Sequence, residues 1–460
     1  MISYEEFHTK LYRIFSHDPE INSIPLEMIL EKIPTVNQLE NIKEGTPVLI
    51  RLDLDVPLKN NEITDPSRID TSLETLKYCI EQGWKVIMFG HIGREKENTL
   101  KPVCEAFKKI LGKEIEFIHD WLNESTIKLE DAFISKLEDP KSPSIFMLEN
   151  TRKYDVARIF WKASKENFDE ICKKLYALAT DFRKRVSEIV INEAIAASNF
   201  DFSSSVLPLV MSKTAMGFFI SDEMNKHILN VKKANIIVFS GLKINKLDDL
   251  ESLLDASDLR MIISAGSLAM ALKKAKARLD GGDFCIGRGQ VDEKEKFFIP
   301  ESRIDQGKRI IQKCMDKNIE LILPIDFVLD NGEISKSIPE DRVQFDIGPE
   351  TRELVKNKVM EFVQASKNSS EHYTLFYNGV FGKCEDPRFE QGTKEFISLL
   401  AKMTKEGIAT YVGGGEGRLA LLKYGSLSDV THAFTAGGTI LKSLAGTHIK
   451  YLKAMYLQNL

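Results

Sequence analysis

The chain has 460 residues with a formal net charge of -5, 43% hydrophobic and 28% charged residues, ordinary values for a soluble protein large enough for two domains or more. The acidic balance argues against a nucleic-acid partner, and no apolar run reaches the roughly 18 residues of a membrane span. Six scattered cysteines, with no Cys-x-x-Cys pair, read as packing thiols in a reducing compartment, so the expected location is the cytoplasm.

Residues 1–34 precede the first strand signal. Phe7, Leu11, Ile14 and Phe15 recur at helical spacing, which predicts a small amphipathic helix. It packs on its own domain or, in the sharper reading, docks on a partner protein. Residues 35–215 then alternate strand and helix. Strands are predicted at Val48–Leu52, Lys85–Gly90, Ile145–Leu148 and Ile189–Glu193. Helices are predicted from Ile69 to Gly83, over 102–111 and over 168–179. Residues 216–233, with a helix over 221–230, lead into a second series over 234–445. Its strands are 236–239, 261–264, 321–324, 374–377 and 409–412. Residues 280–295 are glycine-rich and charged, and read as an exposed excursion. This rhythm predicts an α/β protein of two doubly wound, mostly parallel-sheet, Rossmann-like lobes joined by a hinge helix.

Ligands of open α/β sheets bind beyond the carboxyl ends of the strands. In the first series those ends carry Asp53, Asp55 and Arg68, then His91 and Arg94, then Arg152. Taken singly, each is an ordinary solvated turn. Several arginines on one sheet edge make a cationic basin suited to phosphate and carboxylate oxygens. In the second series the strand ends are rich in glycine: Ser240-Gly-Leu-Lys243, the loop from Asn378 to Glu385, Gly413-Gly414-Gly415-Glu416, and Gly437-Gly438. Glycine lets backbone amides approach phosphate, Lys243 suits a terminal phosphate, and Glu416 suits Mg²⁺. Any one such loop serves equally well as a tight turn. No Walker-type loop is present.

The order of these motifs, from about Leu39 to Ala454, resembles the phosphoglycerate kinase family. Leu52-Asp-Leu-Asp-Val-Pro57, Thr64-Asp-Pro-Ser-Arg-Ile69, Gly90-His-Ile-Gly-Arg94 and Leu148-Glu-Asn-Thr-Arg152 carry the likeness in the first half. Asp346-Ile-Gly-Pro349 and the Asn378-Gly loop carry it in the second. The resemblance implies an N-terminal lobe for 3-phosphoglycerate or 1,3-bisphosphoglycerate and a C-terminal lobe for MgADP or MgATP. It implies closure about a hinge, residues 446–460 returning to the first lobe, and a monomer. Asp53, Asp55, His91, Arg94 and Arg152 would serve the phosphoglycerate, and Arg68 and Lys243 the transferring phosphoryl group. Asn378, Glu385, Gly413, Gly414, Gly415, Glu416, Gly437 and Gly438 would serve the nucleotide, Glu416 standing where the family has a metal-linked aspartate.

The departures are several. Asp55 stands for an asparagine, and Phe200 for a substrate-binding arginine. Leu247 aligns with a second lysine, although Lys246 is adjacent. Glu416 and Gly417 replace Asp-Thr, and a glycine triplet is reduced to Gly437-Gly438. Arg183 and Arg185 are candidates to replace the missing arginine, against the plainer reading of a solvated basic turn. Two functions follow: a phosphoryl transferase of glycolysis, or a kinase fold that has lost catalysis and serves as a binding subunit of an assembly.

Overall fold

The computed structural model describes residues 2–241, 243–256, 258–291, 293–294, 297–367, 372–444 and 449–460. The chain divides into two compact units, residues 1–226 with 447–460, and residues 227–446. The break after Lys226 falls inside the stretch read as the hinge, and the expected boundary at 445–446 lies outside the described residues.

The first unit is built on one parallel sheet of six strands: β1 (Pro47–Leu52), β2 (Lys85–Phe89), β3 (Glu116–Ile118), β4 (Ile145–Leu148), β5 (Ile189–Glu193) and β6 (Lys213–Met216). Their spatial order is β6-β5-β1-β2-β4-β3. The central strands are buried along almost their whole length and, Arg51 and Lys85 apart, apolar, because helices cover both faces. Leu49 pairs with Ile87 on one side and Val190 on the other. β1 is the topological switch point, so its carboxyl end, where Asp53 and Asp55 sit, opens a crevice.

The helix Tyr4–Phe15 begins at Ser3, whose hydroxyl accepts from the Glu6 amide at 3.1 Å. Phe7, Leu11 and Ile14 are fully buried. Tyr4 and Phe15 pack edge-on and tilted against Tyr176 and Phe168 of the helix Phe168–Arg185, with ring centroids 5.4 and 4.9 Å apart. The apolar face that suggested docking is thus consumed within its own unit. The helix Lys450–Asn459 belongs to the same unit. Tyr451 and Leu452 are buried, Lys453 Nζ reaches Asn22 Oδ1 at 2.5 Å, and Asn459 Nδ2 reaches Thr214 Oγ1 at 3.0 Å. Glu193, at the end of β5, is buried. It accepts from Thr75 Oγ1 at 2.5 Å and from the amides of Phe219 and Ile220, both at 3.1 Å, capping the helical stretch that starts at Phe218.

The second unit repeats the plan with β7 (Ile236–Phe239), β8 (Met261–Ser264), β9 (Glu320–Ile322), β10 (Thr374–Asn378), β11 (Ala409–Gly413) and β12 (His432–Ala433), in the order β9-β8-β7-β10-β11-β12, all parallel. A small antiparallel sheet over Phe327–Leu329, Ile334–Ser335 and Gln344–Ile347 was not expected from the sequence. The excursion over 280–295 is not simply exposed: Ile286, Gly287 and Gly289 are buried. The cause is Lys274, buried beneath it, whose ammonium donates to the Phe284 carbonyl at 3.0 Å and to Gln290 Oε1 at 3.1 Å. Asp292, Glu295 and Lys296 lie outside the described residues. No helix among the described residues is long and apolar enough to cross a membrane.

Candidate functional site

In the first unit a charge network forms where β1, β2 and β4 end. Arg68 Nη1 donates to Asp53 Oδ1 at 3.0 Å and lies 3.9 Å from Asp55 Oδ2. Asp55 Oδ1 accepts from the Gly93 amide at 2.8 Å, and its other oxygen is 4.0 Å from His91 Nε2. Arg152 donates to the Gly93 carbonyl. Asp53, Asp55, Arg68, His91 and Arg152 are therefore brought together around the turn after β2. Arg94 is not: its side chain is exposed and only its carbonyl is engaged.

The organising residue of this network lies in none of the sequence motifs. Arg51, inside β1, is fully buried. Its Nε donates to Ser203 Oγ at 2.7 Å, its Nη1 to the Leu52 carbonyl, and its Nη2 to His91 Nδ1 at 2.8 Å. A guanidinium can only donate, so His91 Nδ1 accepts and the ring proton sits on Nε2, facing Asp55. Burial, reinforced by Arg51, Arg152 and Arg68, holds the His91 pKa well below its ordinary value, so the ring is neutral. Burial raises the Asp53 carboxyl, against the pull of Arg68 and Arg51. Burial also lowers both Arg51 and Arg152, opposed by Asp201, Asp53 and Asp55 in the first case and by Asp55 and Asp201 in the second. Arg51 was findable in principle: a charge in a strand apolar on both faces must have a buried partner.

Phe200 is buried and stacks on Phe160, with ring centroids 4.1 Å apart. Lys450 Nζ lies 4.8 Å from the centre of its ring. Arg183 and Arg185 do not take the place of an arginine at position 200. They end the helix that precedes β5, at the opposite edge of the sheet. Arg183 donates to the Val210 carbonyl and Ser212 Oγ, and Arg185 to the Leu129 carbonyl and Asp131. They tie loops together there.

In the second unit the glycine loops converge on Asn378 at the end of β10. A Cβ placed on Gly437 would meet Gly414 Cα at 2.5 Å, so only two glycines permit this approach of the loops after β11 and β12. Gly414, at φ +81°, leads into the helix Gly415–Tyr424, whose first amides have no side-chain cap. That is the form of a phosphate cradle. Gly413 packs against the Phe376 ring and Asn378, whereas a Cβ on Gly415 or Gly438 would stand in open space.

The lysine drawn into this cradle is Lys246. Its ammonium donates to the Ser240 carbonyl and to Asn378 Oδ1, both at 3.1 Å. Burial lowers its pKa, partly offset by Glu416. A Cβ on Gly241 would lie 3.3 Å from Lys246 Nζ and 3.5 Å from Glu416 Oε2, which places the carboxylate over the same loop. Lys243 is exposed one turn earlier, because the helix Lys246–Ala256 starts after it. Glu385 is exposed, and the contacts of its loop run instead from Lys423 and Tyr424 to the Cys384 carbonyl. Among the described residues no group of three or more His, Cys, Asp or Glu could hold a metal ion. A Mg²⁺ beside Glu416 would take its other ligands from phosphate and water, the usual habit of that ion. The buried Asn378 Nδ2, which has no hydrogen-bond partner among the described residues, fits a cradle built for oxygen-rich ligands.

Known proteins resemble this chain along most of its length. The family model described as phosphoglycerate kinase matches residues 38–447. A phosphoglycerate kinase of Thermosipho africanus is 30% identical over 425 residues, covering 88% of this chain and 94% of the relative. One from Staphylococcus aureus is 30% identical over 432 residues, covering 90% and 96%. The solved phosphoglycerate kinase of Coxiella burnetii superposes with a TM-score of 0.69 at 25% identity, covering 93% of this chain and 99% of that one.

Proposed function

Because the chain belongs to the phosphoglycerate kinase family, we propose that it transfers a phosphoryl group reversibly between ATP and the carboxylate of 3-phosphoglycerate, yielding ADP and 1,3-bisphosphoglycerate. The observation that carries this reading is the cluster of Arg51, Arg68 and Arg152 around a neutral His91 at the switch point of the first sheet. Such a cluster suits a small acid that bears both a carboxylate and a phosphate.

The acceptor is a carboxylate oxygen, ionised at neutral pH, so the reaction needs no general base. A P–O bond forms to the carboxylate as the bond to the ADP oxygen breaks, and no proton changes hands. The protein's share is positioning and charge neutralisation. Arg68, held by Asp53, aims its fork at the reacting carboxylate. His91 donates through Nε2, and Arg152 takes a second anionic group. In the second unit, the amides before and within Gly415–Tyr424 hold nucleotide phosphates, and Lys246 fixes Asn378 and the Gly241 loop. Lys243, exposed at the mouth of that loop, meets the transferring phosphoryl group. Glu416, with water and the nucleotide, would hold Mg²⁺, which would supply further neutralisation of phosphate charge.

A second reading is favoured by two specific features. Phe200 is locked in an aromatic stack, and Asp55 adds negative charge beside the arginines. These suit a protein that binds its ligands without turning them over, as a subunit of an assembly. A coupled assay of transfer between ATP and 3-phosphoglycerate separates the two. Turnover supports the enzyme. Background rates at saturating substrates, with calorimetric binding of both ligands intact, reject the enzyme in favour of the binding protein.

A further inference from the structure

We propose that Arg158 is a substrate-binding residue of the first unit, grasping the phosphate end of a small phosphorylated acid together with Arg152. This rests on the reading just given, and it names a residue that none of the motifs contains.

Arg158 lies in the helical turn Asp155–Lys162, which follows the β4 motif. Its Nη1 donates to the Arg94 carbonyl at 3.0 Å, so it is anchored to the same turn that Arg152 grips through Gly93. Both guanidiniums lie over one indole: Arg152 is 5.6 Å and Arg158 5.8 Å from the Trp161 ring centre. Trp161 is 52% exposed, an unusual state for so large an apolar side chain, and its Nε1 is fixed on the Phe200 carbonyl at 3.0 Å.

Asp55 and Asp201 act on Arg152, but Arg158 has no carboxylate to itself. The carboxylate nearest Arg158, that of Asp155, is 4.0 Å away and already bound to Lys96 at 2.8 Å. Arg152 Nε is buried and has no hydrogen-bond partner among the described residues. Arg158 also adds to the forces that depress Arg152, as a like charge held close must. Two cations kept together on a stacking platform, one with an unused buried donor, call for a divalent anion. A phosphate offers the oxygens and the charge.

The layout of the turn assigns the two ends of the ligand. Arg68 acts at the His91 end, through Asp55, and Arg158 acts at the Arg94 end. The carboxylate belongs with Arg68, where transfer occurs, and the phosphate belongs with Arg152 and Arg158. The pair thereby supplies cations in place of an arginine at position 200.

The test is calorimetry on the full chain with two probes, 3-phosphoglycerate and unphosphorylated glycerate. Arg158→Ala should weaken 3-phosphoglycerate about 10- to 100-fold, the range for loss of a charge-assisted contact, and leave glycerate unchanged. Arg158→Lys, which keeps the charge but not the fork, should recover only a fraction of the loss. Far-ultraviolet circular dichroism checks that substitution of this partly buried side chain leaves the fold intact. Equal 3-phosphoglycerate affinity in wild type and Arg158→Ala overturns the proposal while leaving the function standing. Equal losses for both probes also overturn it, because the residue would then serve the carboxylate or the fold. Failure of the wild-type chain to bind 3-phosphoglycerate overturns the function itself, and this inference with it.

Discussion

Replacing Lys246 by methionine isolates what holds the glycine cradle together. The side chain keeps its length and most of its volume, but three N–H donors and a charge disappear. Two acceptors lose their partner, the Ser240 carbonyl and Asn378 Oδ1, both at 3.1 Å, and both residues are at most 1% exposed. Leaving a buried acceptor unpaired costs about 1–3 kcal/mol. Against that, the variant no longer buries an ammonium, a cost evident in the lysine's lowered pKa. The balance predicts a loss of about 2 kcal/mol in stability, carried by the second unit. Freed from Lys246, Asn378 and the Gly241 loop lose their register, and ADP affinity falls at least about tenfold, the equivalent of 1.4 kcal/mol. Lys243→Met is the contrast. That residue is exposed, so its variant unfolds like wild type and binds ADP normally, while turnover falls. Urea unfolding followed by fluorescence, and calorimetry with ADP in the presence and absence of Mg²⁺, read both quantities. Wild-type stability and ADP affinity in Lys246→Met would refute the role given to Lys246.

Burial lifts Glu193 to about 7 from an ordinary carboxyl value of 4.5. The folded chain therefore keeps a proton that the unfolded chain releases between those values. This contribution to stability is complete below pH 4.5 and is lost as pH rises towards 7. Glu193→Gln lacks it, so the variant's stability relative to wild type should improve by up to about 3 kcal/mol across that window. Urea melts from pH 4.5 to 8 measure the difference, which also cancels the opposing titration of His91, and parallel profiles would contradict the assignment. In the cradle, Gly437→Ala brings a methyl group to 2.5 Å from Gly414 Cα and must push the loops after β11 and β12 away from each other. ADP affinity should fall about tenfold or more, whereas Gly438→Ala, which meets nothing within 4 Å, should keep the wild-type melt. Calorimetry and thermal melts of the two variants decide it.

Long elements were legible because burial on two faces writes an apolar run into the sequence. The strands 145–148 and 189–193 have the ends the pattern predicts. The helix from Phe168 extends to Arg185, beyond its predicted end at Ala179, because Leu178, Ala179 and Phe182 continue the buried face. The sheet over Phe327–Leu329, Ile334–Ser335 and Gln344–Ile347 was illegible because its short strands are only partly buried and write no sustained apolar run or alternation. Site residues at strand ends could be listed, since topology sends loops there. Which of them meet could not. Arg51 and His91 are 40 positions apart, and Lys246 and Asn378 132 apart. Only three-dimensional register decides that Lys246, rather than Lys243, turns inward, or that Phe200 faces Phe160.

The helix Lys450–Asn459 is a structural component of the first unit, with Tyr451 and Leu452 in its interior and Lys453 tied to Asn22. Residues 227–446 form the other unit from one uninterrupted stretch. During synthesis, then, the half translated second has all its pieces as soon as it leaves the ribosome. The half translated first waits, its interior unsealed, until residues 450–459 emerge. A chain ending at residue 449 should carry a protease-sensitive leading half beside a resistant trailing one, so maturation runs against the direction of translation.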